Sequence, residues 1–146
     1  MSGNTERVNL WAVVAAVLVA LAALICLDIT LNIWITLERH QSIWPFPALY
    51  LCEVVVLTAG AAVVTGLNKP VAATLTWIAT GALLGFIALA LMSIGSYYLP
   101  VVLLMALAGI VHMYQNNRSF TRFVSWSAGG AAAQIALMLG ILSLFA

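Results

Sequence analysis

The sequence has very little charge. Of its 146 residues, 5 are Lys or Arg and 4 are Asp or Glu, so charged residues make up 6% of the chain. Soluble domains carry about 25% charged residues, with which they cover a surface that faces water. The chain is therefore not a soluble domain. A formal net charge of +1 also excludes the dense basic face with which proteins bind nucleic acids.

Cysteine and reactive motifs are scarce as well. The 2 cysteines, Cys26 and Cys52, lie in apolar segments and form neither a CxxC motif nor a zinc-type spacing. The sequence contains no GxSxG motif, no HExxH motif and no phosphate-binding glycine loop, through which an enzyme would present reactive groups. We therefore expect no enzyme activity, no cofactor and no metal site. We also expect two buried free thiols, although the spacing leaves a bridge between them open.

The sequence is rich in hydrophobic residues and contains long apolar segments. Hydrophobic residues make up 65% of it, and the mean hydropathy is +1.16. About 20 apolar residues, at a helical rise of about 1.5 Å each, cross a bilayer core of about 30 Å. The segment from residue 8 to residue 37 contains no Gly or Pro, and its one charged residue is Asp28. This segment is the first predicted transmembrane helix.

Proline, glycine and polar residues separate this segment from four others. Pro45 and Pro47 prevent a continuous helix after the first segment, Gly66 suits a helix C-terminus, and Pro70 suits a helix start. The sequence therefore predicts helices over residues 8–37, 47–67, 71–94, 99–115 and 123–145. Because each connection is short, consecutive helices should be antiparallel neighbours. The expected fold is an all-α, five-helix transmembrane bundle formed by one domain, residues 1–146.

The basic residues predict the orientation. A cytoplasmic N-terminus places Arg7, Lys69, Arg118 and Arg122 inside and leaves Arg39 outside, in agreement with the positive-inside rule. Five helices then place the C-terminus outside, and the expected location is the cytoplasmic membrane. Aromatic residues fall near the two expected interfaces. Those near inner ends are Trp11, Trp77, Tyr114 and Trp126, and those near outer ends are Trp34, Trp44, Tyr97 and Tyr98.

Small residues indicate where helices pack. Lipid tails are as apolar as leucine, so membrane helices associate where small side chains let their backbones approach. Gly81 and Gly85 form a small-xxx-small motif in the third segment, and Gly129 and Gly130 lie in a Gly/Ala run of the fifth. The run of residues 58–62 in the second segment offers a similar face. We expect these glycines to pack helices within the chain. The alternative is contact with a second copy or with other membrane subunits.

Two acidic residues lie within the apolar segments. A charged side chain in the hydrocarbon core costs about 2.5–3.5 kcal/mol and usually faces a cavity or the bundle interior. Counted at helical rise, Asp28 lies about 9 Å below Trp34 and Glu53 lies about 10 Å below Phe46. Asn32 follows Asp28 by one helical turn, on the same face. We therefore expect Asp28, Asn32 and Glu53 to form one polar pocket that opens towards the outside.

The pocket suggests transport. Two carboxylates that exchange a proton for a bound cation suit a small permease or channel for a cation or a proton-coupled small solute. The alternative is a non-catalytic accessory or assembly subunit of a larger membrane complex, in which the acids are structural or meet a partner. A metal site that adds Glu38 and His40 has little basis, because a lone His shows no recognised spacing. Gln134 is expected to form a hydrogen bond between helices, and His112 is expected at the inner interface.

Overall fold

The structure, a computed structural model, describes residues 3–39, 48–91 and 93–145. It contains five α-helices and a 3₁₀ turn, Gly95–Tyr98, between the third and fourth of them. The helices are α1 Gly3–Glu38, α2 Ala48–Gly66, α3 Ala72–Ala90, α4 Leu99–Gln115 and α5 Phe120–Phe145. Each, with α4 counted together with the 3₁₀ turn before it, supplies a stretch of 19 to 29 residues that is long and apolar enough to cross a membrane. The predicted all-α fold with five such helices is confirmed.

The helix ends differ from the predicted ones by a few residues. α1 begins at Gly3 rather than residue 8, and α5 begins at Phe120 rather than residue 123. A helix can continue into polar sequence where hydropathy stops, because its hydrogen bonds do not require apolar side chains. α3 ends at Ala90 rather than residue 94. There the amide and the hydroxyl of Ser93 both donate to the carbonyl of Ala90, at 3.0 and 3.1 Å.

Two asparagines close helices at one end of the bundle. Asn68 has a φ of 50° and Asn117 a φ of 47°, in the left-handed region. After α2 the amide of Lys69 donates to the carbonyl of Val64 at 3.2 Å, the bond that defines a Schellman cap. The predicted cap, Gly66, is instead the last residue of α2. Asn replaces Gly here because its short polar side chain tolerates left-handed backbone.

Contacts between helices establish their directions. Thr30 in α1 meets Tyr98 at the start of α4, and Trp77 early in α3 meets Gly109 late in α4. Tyr50 at the start of α2 meets Met138 late in α5. α2 and α4 therefore run opposite to α1, α3 and α5. We call the end with the α2–α3 and α4–α5 connections the Lys69 end, and the opposite one the Arg39 end.

α3 is the central helix, and the chain does not pack in sequence order. α3 contacts α2, α4 and α5. α1 packs against α2 and α4. α5 packs on α3 and makes little contact with α4. In their apolar stretches, 67% of the residues of α3 are buried, against 17% of those of α5. The expectation that all consecutive helices are neighbours is therefore wrong for α4 and α5.

Small residues explain why α5 lies on α3. A Cβ atom at Gly81 would overlap the backbone of Ser127, and one at Gly85 would lie 2.8 Å from the carbonyl oxygen of Ala131. Both pairs are 46 residues apart (127 − 81 and 131 − 85), so the two helices run parallel in one register. Such close backbone contact is what associates helices in lipid.

Of the four glycines predicted to pack helices, three lie against a neighbouring helix and one does not. Gly81 and Gly85 lie against α5, and Gly130 lies against the backbone of Ile78 in α3. Gly129 is exposed, and no atom from another described helix lies within 4 Å of the position its Cβ would take. With 3.6 residues per turn, adjacent residues point about 100° apart, so Gly129 points away from α3 when Gly130 faces it. Gly60, in the run of residues 58–62, is open in the same way.

The aromatic residues agree with the expected interfaces in part. Those exposed near helix ends are Trp11, Tyr97, Tyr114 and Trp126. Trp77 and Tyr98 are fully buried instead, because each reaches a hydrogen-bond partner on a neighbouring element. The indole nitrogen of Trp77 donates to the carbonyl of Gly109 at 3.0 Å. The predicted turn at Pro45 and Pro47, together with His40, Trp44 and Phe46, lies outside the described residues.

Candidate functional site

A cavity of about 520 Å³ lies at the Arg39 end, between the C-terminal half of α1 and the α3–α4 connection. We call it the Asp28 pocket. Its lining residues from α1 are Asp28, Ile29, Asn32, Ile33, Thr36 and Leu37, and those from the connection are Ser93, Ile94 and Tyr97. The α1 residues recur every four positions and therefore share one helix face. The adjacent face of α1, with Ala22, Cys26 and Thr30, is buried.

Two polar side chains of the pocket are held by the backbone of α1. The amide nitrogen of Asn32 donates to the carbonyl oxygen of Asp28 at 2.8 Å, and the hydroxyl of Thr36 donates to the carbonyl oxygen of Asn32 at 2.7 Å. The carboxylate of Asp28 is exposed and forms no hydrogen bond or ion pair with the described residues. The Asp28 carboxylate and the side-chain amide oxygen of Asn32 remain as groups that can accept a hydrogen bond from a ligand.

A buried hydrogen bond holds the two walls of the pocket together. The hydroxyls of Thr30 and Tyr98 lie 2.8 Å apart, and Tyr98 is fully buried. The Tyr98 ring also packs edge-on against Phe86, with 5.3 Å between ring centroids. These contacts attach α1 to the 3₁₀ turn directly beside the lining residues Ile29 and Tyr97. The width of the pocket is therefore set by buried contacts.

Glu53 does not line the Asp28 pocket. It lies half-buried on α2, where its carboxylate accepts a hydrogen bond of 2.9 Å from the side-chain nitrogen of Gln134 in α5. Gln134 is 3% exposed. Near this contact, the hydroxyl of Tyr50 donates to the backbone of Met138 at 3.0 Å. The structure thus brings Asp28 and Asn32 together, separates Glu53 from their pocket, and confirms Gln134 as an interhelical hydrogen-bonding residue.

Sequence reasoning missed two polar residues of the pocket. Thr36 follows Asn32 by one turn and Asp28 by two turns, so the same spacing that links Asp28 to Asn32 identifies it. Tyr97 was assigned to the interface with lipid headgroups, and only the fold of the α3–α4 connection places it at the pocket. Ser93, in the α3–α4 connection, also lines the pocket.

A smaller polar cavity, of about 170 Å³, lies at the Lys69 end; we call it the His112 pocket. Its lining residues are Asn68, Lys69, Pro70, Ala72, Ala73, His112, Gln115 and Asn116. His112 is 5% exposed, and its Nε2 atom has no hydrogen-bond partner in the described part of the chain. His112 lies in the last turn of α4, at the predicted inner end, but α4 turns its side chain into the bundle, so the side chain is buried rather than exposed there.

Cysteine and acidic side chains are common metal ligands in proteins. Cys26 and Cys52 are free thiols; Cys26 is buried as expected, whereas Cys52 is exposed. Among residues 3–39, 48–91 and 93–145, no group of three or more His, Cys, Asp or Glu side chains is placed to hold a metal ion. Glu53 lies away from the Asp28 pocket, so one of the four side chains of the hypothetical metal site is separated from Asp28. His40, another of the four, lies outside the described residues.

The fold defines a class: five apolar helices of membrane-spanning length indicate a multi-pass membrane protein. Comparison of the chain with protein-family models, with curated proteins and with solved structures finds no match. Any more particular function has to be argued from the pockets and surfaces of this chain.

Proposed function

We propose that the protein is a small permease or channel-like protein that binds a cationic solute in the Asp28 pocket. The observation that carries the proposal is the exposed carboxylate of Asp28 in a cavity of about 520 Å³. Small-molecule sites have volumes of about 300–1,000 Å³ and combine apolar walls with a few polar groups. Asp28 is the one charged residue in the lining, so the pocket favours positive charge.

The walls favour an organic cation over an inorganic one. Ile29, Ile33, Leu37 and Ile94 line the pocket with hydrocarbon, whereas a hard metal ion such as Ca²⁺ takes about 6–8 oxygen ligands. Tyr97 also lines the pocket, and aromatic side chains are the groups that proteins use to bind quaternary ammonium ions. A monovalent cation with apolar substituents matches both the charge and the walls. A proton bound to the Asp28 carboxylate would compete with that cation and so couple the two.

The proposed orientation places the N-terminus in the cytoplasm and the Asp28 pocket towards the outside. It is supported by the basic residues, since Lys69, Arg118 and Arg122 belong to the end opposite the pocket. The pocket would then receive solute from the outer side of a cytoplasmic membrane. A complete path through the bundle is part of the proposal, as a channel or a permease requires one.

The test uses reconstituted protein with benzyltrimethylammonium as the probe and Na⁺ as the inorganic comparator. Asp28→Asn should reduce binding and flux of the organic cation about tenfold or more, because hydrogen bonds and contacts to a charged group are the strong ones. Glu53→Gln is the matched control, since it removes the other intramembrane carboxylate outside the pocket. Flux that survives Asp28→Asn, or that falls equally with Glu53→Gln, would reject the proposal.

A second candidate function is assembly, in which the outer face of α5 joins the chain to a second copy of itself or to another membrane subunit. This face lies opposite the one packed on α3 and consists of exposed small residues at spacings of 4, 3, 4 and 4, namely Ser125, Gly129, Ala132, Ala136 and Gly140. No atom of another described helix lies within 4 Å of a Cβ built at Gly129 or Gly140. A flat face does not improve contact with lipid tails, but it lets the backbone of another helix approach closely. The occupant we propose is α5 of a second copy of this chain.

Oligomeric state tests this second candidate. Native mass spectrometry in mild detergent should show a dimer for the wild type and a monomer for Gly129→Leu, because the added side chain fills the flat face. Gly60→Leu is the matched control, since Gly60 is equally open but lies on α2. A wild type that is monomeric at every protein-to-lipid ratio, or a dimer insensitive to Gly129→Leu, would exclude the α5 interface.

A further inference from the structure

The polar cavity at the Lys69 end is a site of a different kind. We propose that the His112 pocket binds the phosphate group of an anionic ligand. Lys69 provides the one charged side chain in the lining, and Asn68, Gln115 and Asn116 provide amide groups that can donate hydrogen bonds. No carboxylate lines the cavity. A positive charge surrounded by neutral donors suits an oxyanion, and lysine is a common point-charge partner of phosphate.

His112 gives an independent indication of a ligand. Its side chain is 95% buried (5% exposed), lines the cavity and leaves Nε2 without a partner in the described residues. Buried polar atoms in folded proteins nearly always have a partner, so an unpartnered one on a residue that lines a polar cavity favours an occupant there. The amide nitrogen of Asn116 donates to the backbone oxygen of His112 at 2.9 Å. This bond holds the Asn116 side chain beside the same turn of α4.

Size and position agree with a phosphate group. A volume of about 170 Å³ is several times the share of one water in the liquid, about 30 Å³. A second cation lies near the rim: Arg118 donates to Thr74, the residue after the lining Ala73, at 3.3 Å. The guanidinium of Arg118 is also held 5.7 Å above the ring of Trp77.

The phosphate group could belong to a lipid or to a soluble compound, and both present the same oxyanion to the cavity. In the proposed orientation the Lys69 end meets the cytoplasmic leaflet, where anionic lipids are concentrated. The site itself is independent of the cation proposed for the Asp28 pocket, because the two cavities lie at opposite ends of the bundle. Failure of one proposal therefore leaves the other intact.

The experiment measures binding to the full-length protein in mild detergent by native mass spectrometry. The probes are phosphatidylglycerol, phosphatidylcholine and inorganic phosphate. Phosphatidylglycerol should bind to Lys69→Gln about tenfold more weakly than to the wild type, because a charge-assisted contact is lost. Arg122→Gln is the matched control, since it removes one exposed positive charge at the same end but does not line the cavity.

A second measurement needs no variant that risks misfolding. The imidazole ¹⁵N resonance of His112 in the labelled wild type should shift when the bound probe reaches Nε2. A shift with phosphatidylglycerol alone supports a lipid headgroup, and a shift with inorganic phosphate as well supports a soluble phosphate compound. If Lys69→Gln and Arg122→Gln weaken phosphatidylglycerol binding equally, the binding depends on surface charge alone, and the proposed site is wrong. A His112 resonance that shifts with neither phosphatidylglycerol nor inorganic phosphate would also overturn the proposed site.

Discussion

Asp28 and Glu53 show what decides the environment of a single residue in this protein. Both are acidic and lie in helices of membrane-spanning length, but only Asp28 lines the cavity at the Arg39 end. Glu53 faces α5 and accepts a hydrogen bond from Gln134 at 2.9 Å. Counting residues along a helix gives the height of a side chain. It does not give its direction relative to neighbours whose positions are unknown.

The contact between Glu53 and Gln134 leads to a prediction about stability. Gln134→Leu should lower the free energy of unfolding by about 1–3 kcal/mol, because it leaves a half-buried carboxylate without its donor. Glu53→Gln should cost less, since an amide oxygen can still accept from Gln134. Unfolding in mixed micelles of mild detergent and dodecyl sulfate measures both values.

The double variant Glu53→Leu/Gln134→Leu provides the control. Replacing both partners by apolar side chains removes the unpaired group, so the double variant should be more stable than Gln134→Leu alone. If the double variant costs as much as Gln134→Leu and Glu53→Leu added together, the hydrogen bond makes no contribution to stability.

At the scale of helices, the pairing of α3 with α5 depends on three glycines. Gly81, Gly85 and Gly130 let the two backbones come closer than any side chain would allow. The motif at Gly81 and Gly85 was visible in the sequence, as was the Gly/Ala run of α5. Which of the two adjacent glycines, Gly129 or Gly130, faces α3 was not visible, because both belong to the same run. The register of the interface decides it.

The α3–α5 interface predicts that substituting Gly81 lowers the stability of the protein more than substituting Gly60. Gly81→Ala should destabilise the protein by about 1–3 kcal/mol, the usual cost of overpacking, because its Cβ would overlap the backbone of Ser127. Gly60→Ala is the matched control: Gly60 is also helical, but no atom of another described helix lies within 4 Å of the position its Cβ would take. Thermal unfolding in detergent compares the two. A Gly81→Ala protein as stable as Gly60→Ala would show that the helices are not in such close contact.

At the scale of the whole molecule, the five helices alternate in direction and place the ends of the chain on opposite sides of the bundle. Lys69, Arg118 and Arg122 gather at one end and Arg39 lies at the other. The positive-inside rule then predicts which end faces the cytoplasm. In the proposed orientation, the Asp28 pocket faces the outside and the His112 pocket faces the cytoplasm.

Single-cysteine labelling tests this orientation. In a background with Cys26 and Cys52 replaced by serine, Leu67→Cys should react with a membrane-impermeant maleimide only in inverted vesicles, because it lies at the Lys69 end. Ser96→Cys, in the α3–α4 connection, should react only in right-side-out vesicles and serves as the opposite control. The reverse pattern would invert the proposed orientation, and labelling of both from one side would contradict the alternation of the helices.

The sequence alone determined that the chain forms five membrane-length helices, with ends within a few residues of those observed, and that Asp28 and Asn32 share a face. Hydropathy and helical spacing are properties of one segment at a time, so they need no knowledge of neighbours. The tertiary structure decided that α5 lies on α3 rather than on α4, that Glu53 bonds to α5 rather than joining Asp28, and that His112, Trp77 and Tyr98 are buried. These outcomes depend on which helix faces which, and close contact between small residues far apart in the sequence selects those pairs.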